Sequence, residues 1–217
     1  VEDYLKAIYG ISEREGTAST SAIAEALDVQ PASVTGMVKR MAEADLLAHV
    51  PYHGVRLTEV GAREALKVLR RHRVIETYLC EQLGYSWEDV HDEAERLEHA
   101  ASDGLVERMA AALEHPSHDP HGAPIPTSGG EIEVTDFSTL AEAAPGSALR
   151  IRAVSDEDPA RLRSMDTQGL TPGARLSVDP VQASADVVTV LLADDGGRPL
   201  AVMRDLAQRI YVIPEEA

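Results

Sequence analysis

With 217 residues the chain can form one large or two small domains and bury a sizeable core. Its 37 acids against 20 bases leave a net charge of −17, which excludes a general binder of nucleic acid or anionic membrane and confines any DNA contact to a local patch. A single cysteine, Cys80, excludes a disulfide framework. No apolar run approaches the ~18 residues that span a bilayer, and the first residues lack a signal peptide's basic-then-apolar layout, so a cytoplasmic protein with no membrane partner is expected.

In chain order, Tyr4, Leu5, Ile8, Tyr9 and Ile11 give residues 2–14 the spacing of an amphipathic helix, and the "EGTAST" that follows supplies a Gly turn and capping hydroxyls. "SAIAEALDV" reads as a second helix, "QP" as a break and "ASVTGMVKRMAEADLL" as a third. Two short helices about a tight turn predict a helix-turn-helix. "LLAHVPYHGVRLTEVG" then alternates as two strands about a His-Gly turn, the wing of a winged helix. "TEVGAREALKVLRRHRVIETYLCEQLG" reads as a long helix starting at a Thr cap, its apolar positions Leu66, Leu69, Ile75, Leu79 and Leu83, with Cys80 near its end as a packed thiol. "SWEDVHDEAERLEHAASDGLVERMAAAL" follows as one long helix, or as two with a break near Asp103-Gly104.

Within that segment His91, Glu95, Glu98 and His99 fall on one stripe, and Val90, Ala94, Leu97 and Ala101 form an apolar stripe about 100° away. The charged stripe therefore borders the core. It holds no lysine, and Arg96, the only cation from His91 to Asp103, points elsewhere. Adjacent groups of this kind are costly unless something positive sits among them, and a divalent cation supplies it. A solvated charged face is the competing interpretation, and the missing lysines weaken it.

From His115 to Ala144 the chain is rich in Pro, Gly, Ser and His, the best domain boundary in the sequence. Pro-rich loops seldom hold three ligands rigidly, so His115, His118 and His121 are not expected to bind metal, and His121-Gly122 is given a turn role. His49 and His53 belong to the wing. Beyond the boundary, "GSALRIRAVS", "ARLSVDPV", "DVVTVLLADD", "RPLAVM" and "RIYVI" are short β segments with a helical "DPARLRSMDTQG" inserted, which predicts a small β-barrel.

"HRVIETYL", "VHDEAERLEH" and "DPHGAPIP", after a helix-turn-helix and before a small β domain, resemble the diphtheria toxin repressor and manganese transport regulator family of metal-dependent transcription factors. The resemblance covers nearly the whole chain. It implies a mainly α protein with a small β domain: a winged helix-turn-helix at 1–60, a helical metal-binding and dimerisation domain at 61–126, a linker at 127–144 and an SH3-like β-barrel at 145–217. It also implies a homodimer that binds double-stranded operator DNA when loaded with Mn(II) or Fe(II), other divalent ions substituting in vitro, with no small-molecule substrate.

The family's primary, activating site carries over by resemblance to Asp3, Glu95, Glu98 and His99. Where iron-type members carry Met and Cys, this chain has Asp3 and Glu95, and hard oxygen ligands favour Mn(II). Lys6 stands where manganese-type proteins without the β domain carry an extra Glu, a departure that bears on their closely paired binuclear site. The ancillary site carries over to His72, Glu76 and His91 with an acid from the SH3-like domain, for which Asp158 is chosen over its neighbours Asp156 and Glu157. The family's Gln ligand falls near Arg161 and is lost.

Two rival classes stand beside a regulator. "EDVH" has the i, i+3 Glu–His spacing of di-metal carboxylate enzymes, but such bundles need the motif twice and no other His here has a Glu three residues before it. A metal-buffering protein would lack sequence-specific duplex binding. Against both, residues 29–42 contain no acid, and Lys39 and Arg40 are their only charges. Gln30, Ala32, Ser33 and Thr35 suit base edges, with Lys39 and Arg40 on phosphate.

Overall fold

The computed structural model describes residues 1–217 apart from 135–136, 156–157, 182–184, 194–195 and 216–217. It divides into two units, one of Val1–His72 with Pro126–Glu133, the other of Arg73–Ile125 with Val134–Ala217.

The first unit opens with helix α1 (Glu2–Glu15), whose 3.6-residue repeat buries Leu5, Ile8 and Ile11 and which ends at Gly16 in the left-handed region. Helix α2 (Thr20–Ala26) begins at Ser19, whose hydroxyl accepts from the Ala22 N–H. The turn to α3 (Pro31–Glu43) passes through Asp28 at φ 50, a conformation that a short polar side chain tolerates. Pro31 sits in the first turn of α3, where no N–H is needed. Strands β1 (Leu47–Val50) and β2 (Gly54–Leu57) pair antiparallel with Leu47 opposite Leu57, forming the wing. One core joins these elements: Ile8, Ile11, Ile23, Val34, Val38, Met41 and Val55 are all buried. The Thr58 hydroxyl caps helix α4 (Glu59–Leu83) by accepting from the Gly61 N–H, and donates to the Asp45 carbonyl at 2.6 Å.

In the second unit, α5 (Val90–Glu98) and α6 (Asp103–Ala112) are separate helices. The break comes before Asp103, because Ser102 is extended and its side chain caps α6 by accepting from the Leu105 N–H. On α5 the buried stripe is Val90, Ala94 and Glu98, with Leu97 38% exposed. The expected apolar stripe is thus corrected at its third turn, where a carboxylate faces inward in place of leucine.

The sheet of this unit has six antiparallel strands in the order β3-β8-β4-β5-β6-β7: β3 (Ser138–Thr139), β4 (Ala148–Val154), β5 (Arg175–Val178), β6 (Val187–Leu192), β7 (Pro199–Met203) and β8 (Ile210–Pro214). Alternating residues of β6 (Val188, Val190, Leu192) and of β4 point into one core. Leu162 and Met165 of helix α7 (Pro159–Thr167) cover it, and the short helix α8 (Arg204–Ala207) adds Ala207. Among the described residues β3 and β7 remain edges, so the expected SH3-like β-barrel is an open sheet. Two residues of β3 are too short a ladder to close it.

Two features dock the β sheet on the helices of its unit. Trp87 packs against the sheet's core, and the loop before residue 125 reaches β4, where the Val154 N–H donates to the His121 carbonyl at 2.9 Å. The ladder between β4 and β8 shifts register between Ile151 and Ala153, so a bulge at Arg152 re-aims that residue. Its carbonyl sits against Gly122, and its guanidinium meets His118 and lies 5.8 Å from the Phe137 ring centroid.

Candidate metal centre and nucleic-acid interface

In the second unit, Glu76 on α4 is fully buried and faces two imidazoles. His91 Nδ1 donates to Glu76 Oε1 at 3.1 Å, and His121 Nδ1 lies 4.0 Å from Glu76 Oε2. His91 Nε2 lies 3.7 Å from Glu95 Oε1 one turn further along α5. These contacts bring Glu76, His91 and Glu95 together as the helical spacing requires. His72 is buried one turn before Glu76 on the same helix.

A third donor comes from the turn "DPHG". Glu76, Asp119 and His121 each offer one ligand atom, all within 4.8 Å of one another, and all three residues are buried. Asp119 shapes the turn that carries His121. Its Oδ1 accepts the N–H groups of His121 and Ala123 at 2.9 Å each, and the Gly122 N–H donates to its carbonyl. His121 Nε2 donates to the Trp87 carbonyl at 2.7 Å, which in a neutral ring leaves Nδ1 as the lone-pair nitrogen. That nitrogen is buried, has no hydrogen-bond partner and faces a carboxylate. A carboxylate and an imidazole nitrogen facing each other in a buried site leave room for a cation between them, and the donor set of two carboxylates and an imidazole fits a divalent ion.

The nearby thiol does not join it. Cys80 is not among the three grouped residues, and burial, then the charges of Glu76 and Asp119, push its thiol up to about 12. On α5, Glu98 is completely buried and its Oε1 lies 3.7 Å from Nε2 of the more exposed His99. Arg96 turns away to pair with Glu93 at 2.9 Å. Asp3 lies in the first turn of α1 in the first unit, half-buried.

Asp158 has a different place from the one expected. It is the N-cap of α7, its Oδ1 accepting from the Ala160 and Arg161 N–H groups and its Oδ2 from Arg161 Nε at 3.1 Å. Desolvation, the largest single cause, raises its carboxyl, but those bonds and the Arg161 charge together hold it below the usual carboxylate range. An Asp-Pro pair opening a helix satisfies orphan N–H groups first, and among the described residues the acid beside Glu76 and His121 is Asp119. Asp156 and Glu157 lie outside the described residues. Asp119 and His121 are candidate site residues that sequence reasoning missed. The available signal was an acid and a histidine two apart in a turn, read there as conformational.

On α3, Gln30 is the N-cap, and Ala32, Ser33, Thr35, Lys39 and Arg40 are all exposed on the face opposite buried Val34 and Val38. The Thr35 hydroxyl donates to the Pro31 carbonyl at 3.1 Å, which leaves its oxygen as acceptor and its methyl outward. Lys39 is 4.0 Å from Glu43, an exposed pair that water screens and phosphate can outcompete.

Residues 1–55 match the iron dependent repressor N-terminal DNA binding domain, residues 58–127 the iron dependent repressor metal binding and dimerisation domain, and residues 138–214 the FeoA domain. The chain is 30% identical over 204 residues to the iron-dependent repressor IdeR of Mycobacterium tuberculosis strain H37Rv, covering 87% of each. It is 31% identical over 222 residues to the diphtheria toxin repressor of Corynebacterium efficiens, covering 97% of this chain and 94% of that one. A solved manganese-dependent transcriptional repressor in complex with manganese superposes with a TM-score of 0.91 at 36% identity, covering 99% of both chains. With its DNA-binding, metal-binding and FeoA, SH3-like parts in family order, the chain belongs to the diphtheria toxin repressor and manganese transport regulator family, whose members are metal-dependent transcriptional repressors and not enzymes.

Proposed function

We propose that the protein is a cytoplasmic, homodimeric repressor that binds operator DNA when loaded with Mn(II), Fe(II) being the alternative ion, and controls genes of metal homeostasis. The observation that carries this is the buried His121 Nδ1 facing Glu76 beside Asp119, an arrangement that a divalent cation completes. One ion is held by Glu76, Asp119 and His121, with His91 orienting Glu76 and His72 one turn away on α4. The activating ion takes Glu95, Glu98 and His99 from α5 and its C-cap, and, on the sequence resemblance, Asp3. The ion supplies positive charge that the acidic stripe lacks, and the protein's own residues hold and orient it. The DNA contact is the acid-free outer face of α3, with Gln30, Ala32, Ser33 and Thr35 toward bases and Lys39 and Arg40 toward phosphate. The family matches at 1–55, 58–127 and 138–214 support the division into residues 1–60, 61–126, a linker at 127–144, and 145–217.

The test is anaerobic metal titration with anomalous diffraction at the Mn and Fe edges, joined to operator binding by Glu98→Ala. Glu98→Ala should lose metal-dependent DNA binding while keeping its helical content. Undiminished, chelator-resistant binding by that variant refutes the proposal.

A further inference from the structure

Arg73 lies three residues before Glu76 on α4, on the same side of the helix, and its side chain is only 17% exposed. Its Nη1 donates to the Pro124 carbonyl at 2.6 Å and its Nε stands 3.3 Å from Asp119 Oδ2. The guanidinium is thus fixed at both ends of the loop that carries His121. Asp119 Oδ1 is already committed to two backbone N–H groups, so the oxygen that faces Arg73 is also the one an incoming ion would use.

We propose that Arg73 is the resident cation of the Glu76, Asp119 and His121 pocket, competing with the divalent ion for Asp119 and so setting the metal concentration at which this site fills. The proposal rests on the assignment of this pocket to metal. Glu76 and Asp119 together carry two negative charges, and Arg73 cancels one of them. An arriving divalent ion therefore meets half the attraction that the acids alone would exert, and meets it at an oxygen already in use. In a buried site that charge is poorly screened, and its removal is worth at least about tenfold in affinity. The same charge is what makes two buried acids tolerable before metal arrives. Arg73 is a positioning and affinity-setting residue, since it reaches the ion only through Asp119.

Trp87, the only tryptophan, can report on this pocket, with its ring 5.6 Å from that of His121. Mn(II) titration of the full chain is followed by Trp87 fluorescence in wild type, Arg73→Gln and Arg73→Lys, with thermal melts with and without metal. Arg73→Gln should lower the Mn(II) concentration at half-saturation about tenfold or more and lower the melting temperature without metal, with Mn(II) recovering most of the difference. Arg73→Lys keeps the charge and should stay near wild type. If Arg73→Gln binds Mn(II) no tighter, or more weakly, Arg73 only braces the loop and the proposal is overturned. If Arg73→Gln folds only when Mn(II) is supplied, the proposal stands; failure to fold even then overturns it. Glu76→Gln separates the two levels: a wild-type Trp87 response that survives this variant unchanged removes the metal assignment itself, and the role of Arg73 with it.

Discussion

Gly122→Ala should uncouple the His121 loop from β4 and weaken the metal pocket from a distance. Gly122 has φ +84, where an L-residue with a side chain costs about 1–2 kcal/mol. A Cβ there would stand 2.1 Å from the Arg152 carbonyl oxygen and 2.9 Å from Ala153 Cα, both backbone atoms that cannot rotate away. Relief takes roughly 1 Å of movement. Moving the loop stretches the bond from the Val154 N–H to the His121 carbonyl, worth about 1 kcal/mol net. The sum is about 2–3 kcal/mol, or roughly 4–12 °C in melting temperature. Because His121 is the next residue, its Nδ1 leaves its place opposite Glu76, and Mn(II) affinity at this pocket should fall about tenfold or more. Circular-dichroism melts in chelator and Mn(II) titration by Trp87 fluorescence measure the two effects. A variant melting within about 2 °C of wild type, with unchanged Mn(II) affinity, would show that the loop is not seated on β4.

Thr35→Ala should change base preference in operator binding, whereas Lys39→Ala should weaken binding to all sequences and lower the salt slope by about one; if neither alters binding, another surface reads the DNA. Cys80 should alkylate about a thousandfold more slowly in the native protein than in urea at pH 8, since its proton is held to about 12 against 9.0 for an unperturbed thiol. By linkage the stability that this thiol contributes is complete below pH 9 and falls as pH rises from there toward 12, and fast native alkylation at pH 8 would contradict its burial. Asp3→Met combined with Glu95→Cys should shift activation of operator binding from Mn(II) toward Fe(II) in anaerobic titrations; equal ratios in wild type and double variant would move metal choice away from ligand softness.

Local chemistry made most of the fold legible, and the misses lie where distant residues decide. Thr58, Ser102 and Asp158 are caps, and each fixes a helix start within its own turn. Closure of the sheet is different, because alternating strands look the same whether the edges β3 and β7 meet or not. On α5, positions 97 and 98 straddle the inward direction, so hydrophobicity selects Leu97 while the fold buries Glu98. His121 was hidden for a related reason. Its turn chemistry is visible in "DPHG", but its burial comes from the Arg152 bulge and Trp87, more than thirty residues away on either side. Asp158, expected as a ligand, caps α7 with both carboxyl oxygens engaged in its own turn.

The ligand chemistry divides the work between the two groups of acids. On the proposed assignment, a pocket of Glu76, Asp119 and His121 is hard enough to accept Mn(II) and Fe(II) alike. Nor does Arg73 discriminate, since its charge lowers the affinity of every divalent ion by the same electrostatic means. It can set how much metal is needed without choosing which. On the proposed assignment, choice then rests with the acids of α5, where Glu98 is buried beside His99 and Glu95 stands one turn beyond His91. Burying a carboxylate is costly, and binding of an ion at such a site returns part of that cost. On the proposed assignment, the response to metal follows mainly from where the carboxylates are buried: Glu76 and Asp119 beside His121, and Glu98 beside His99.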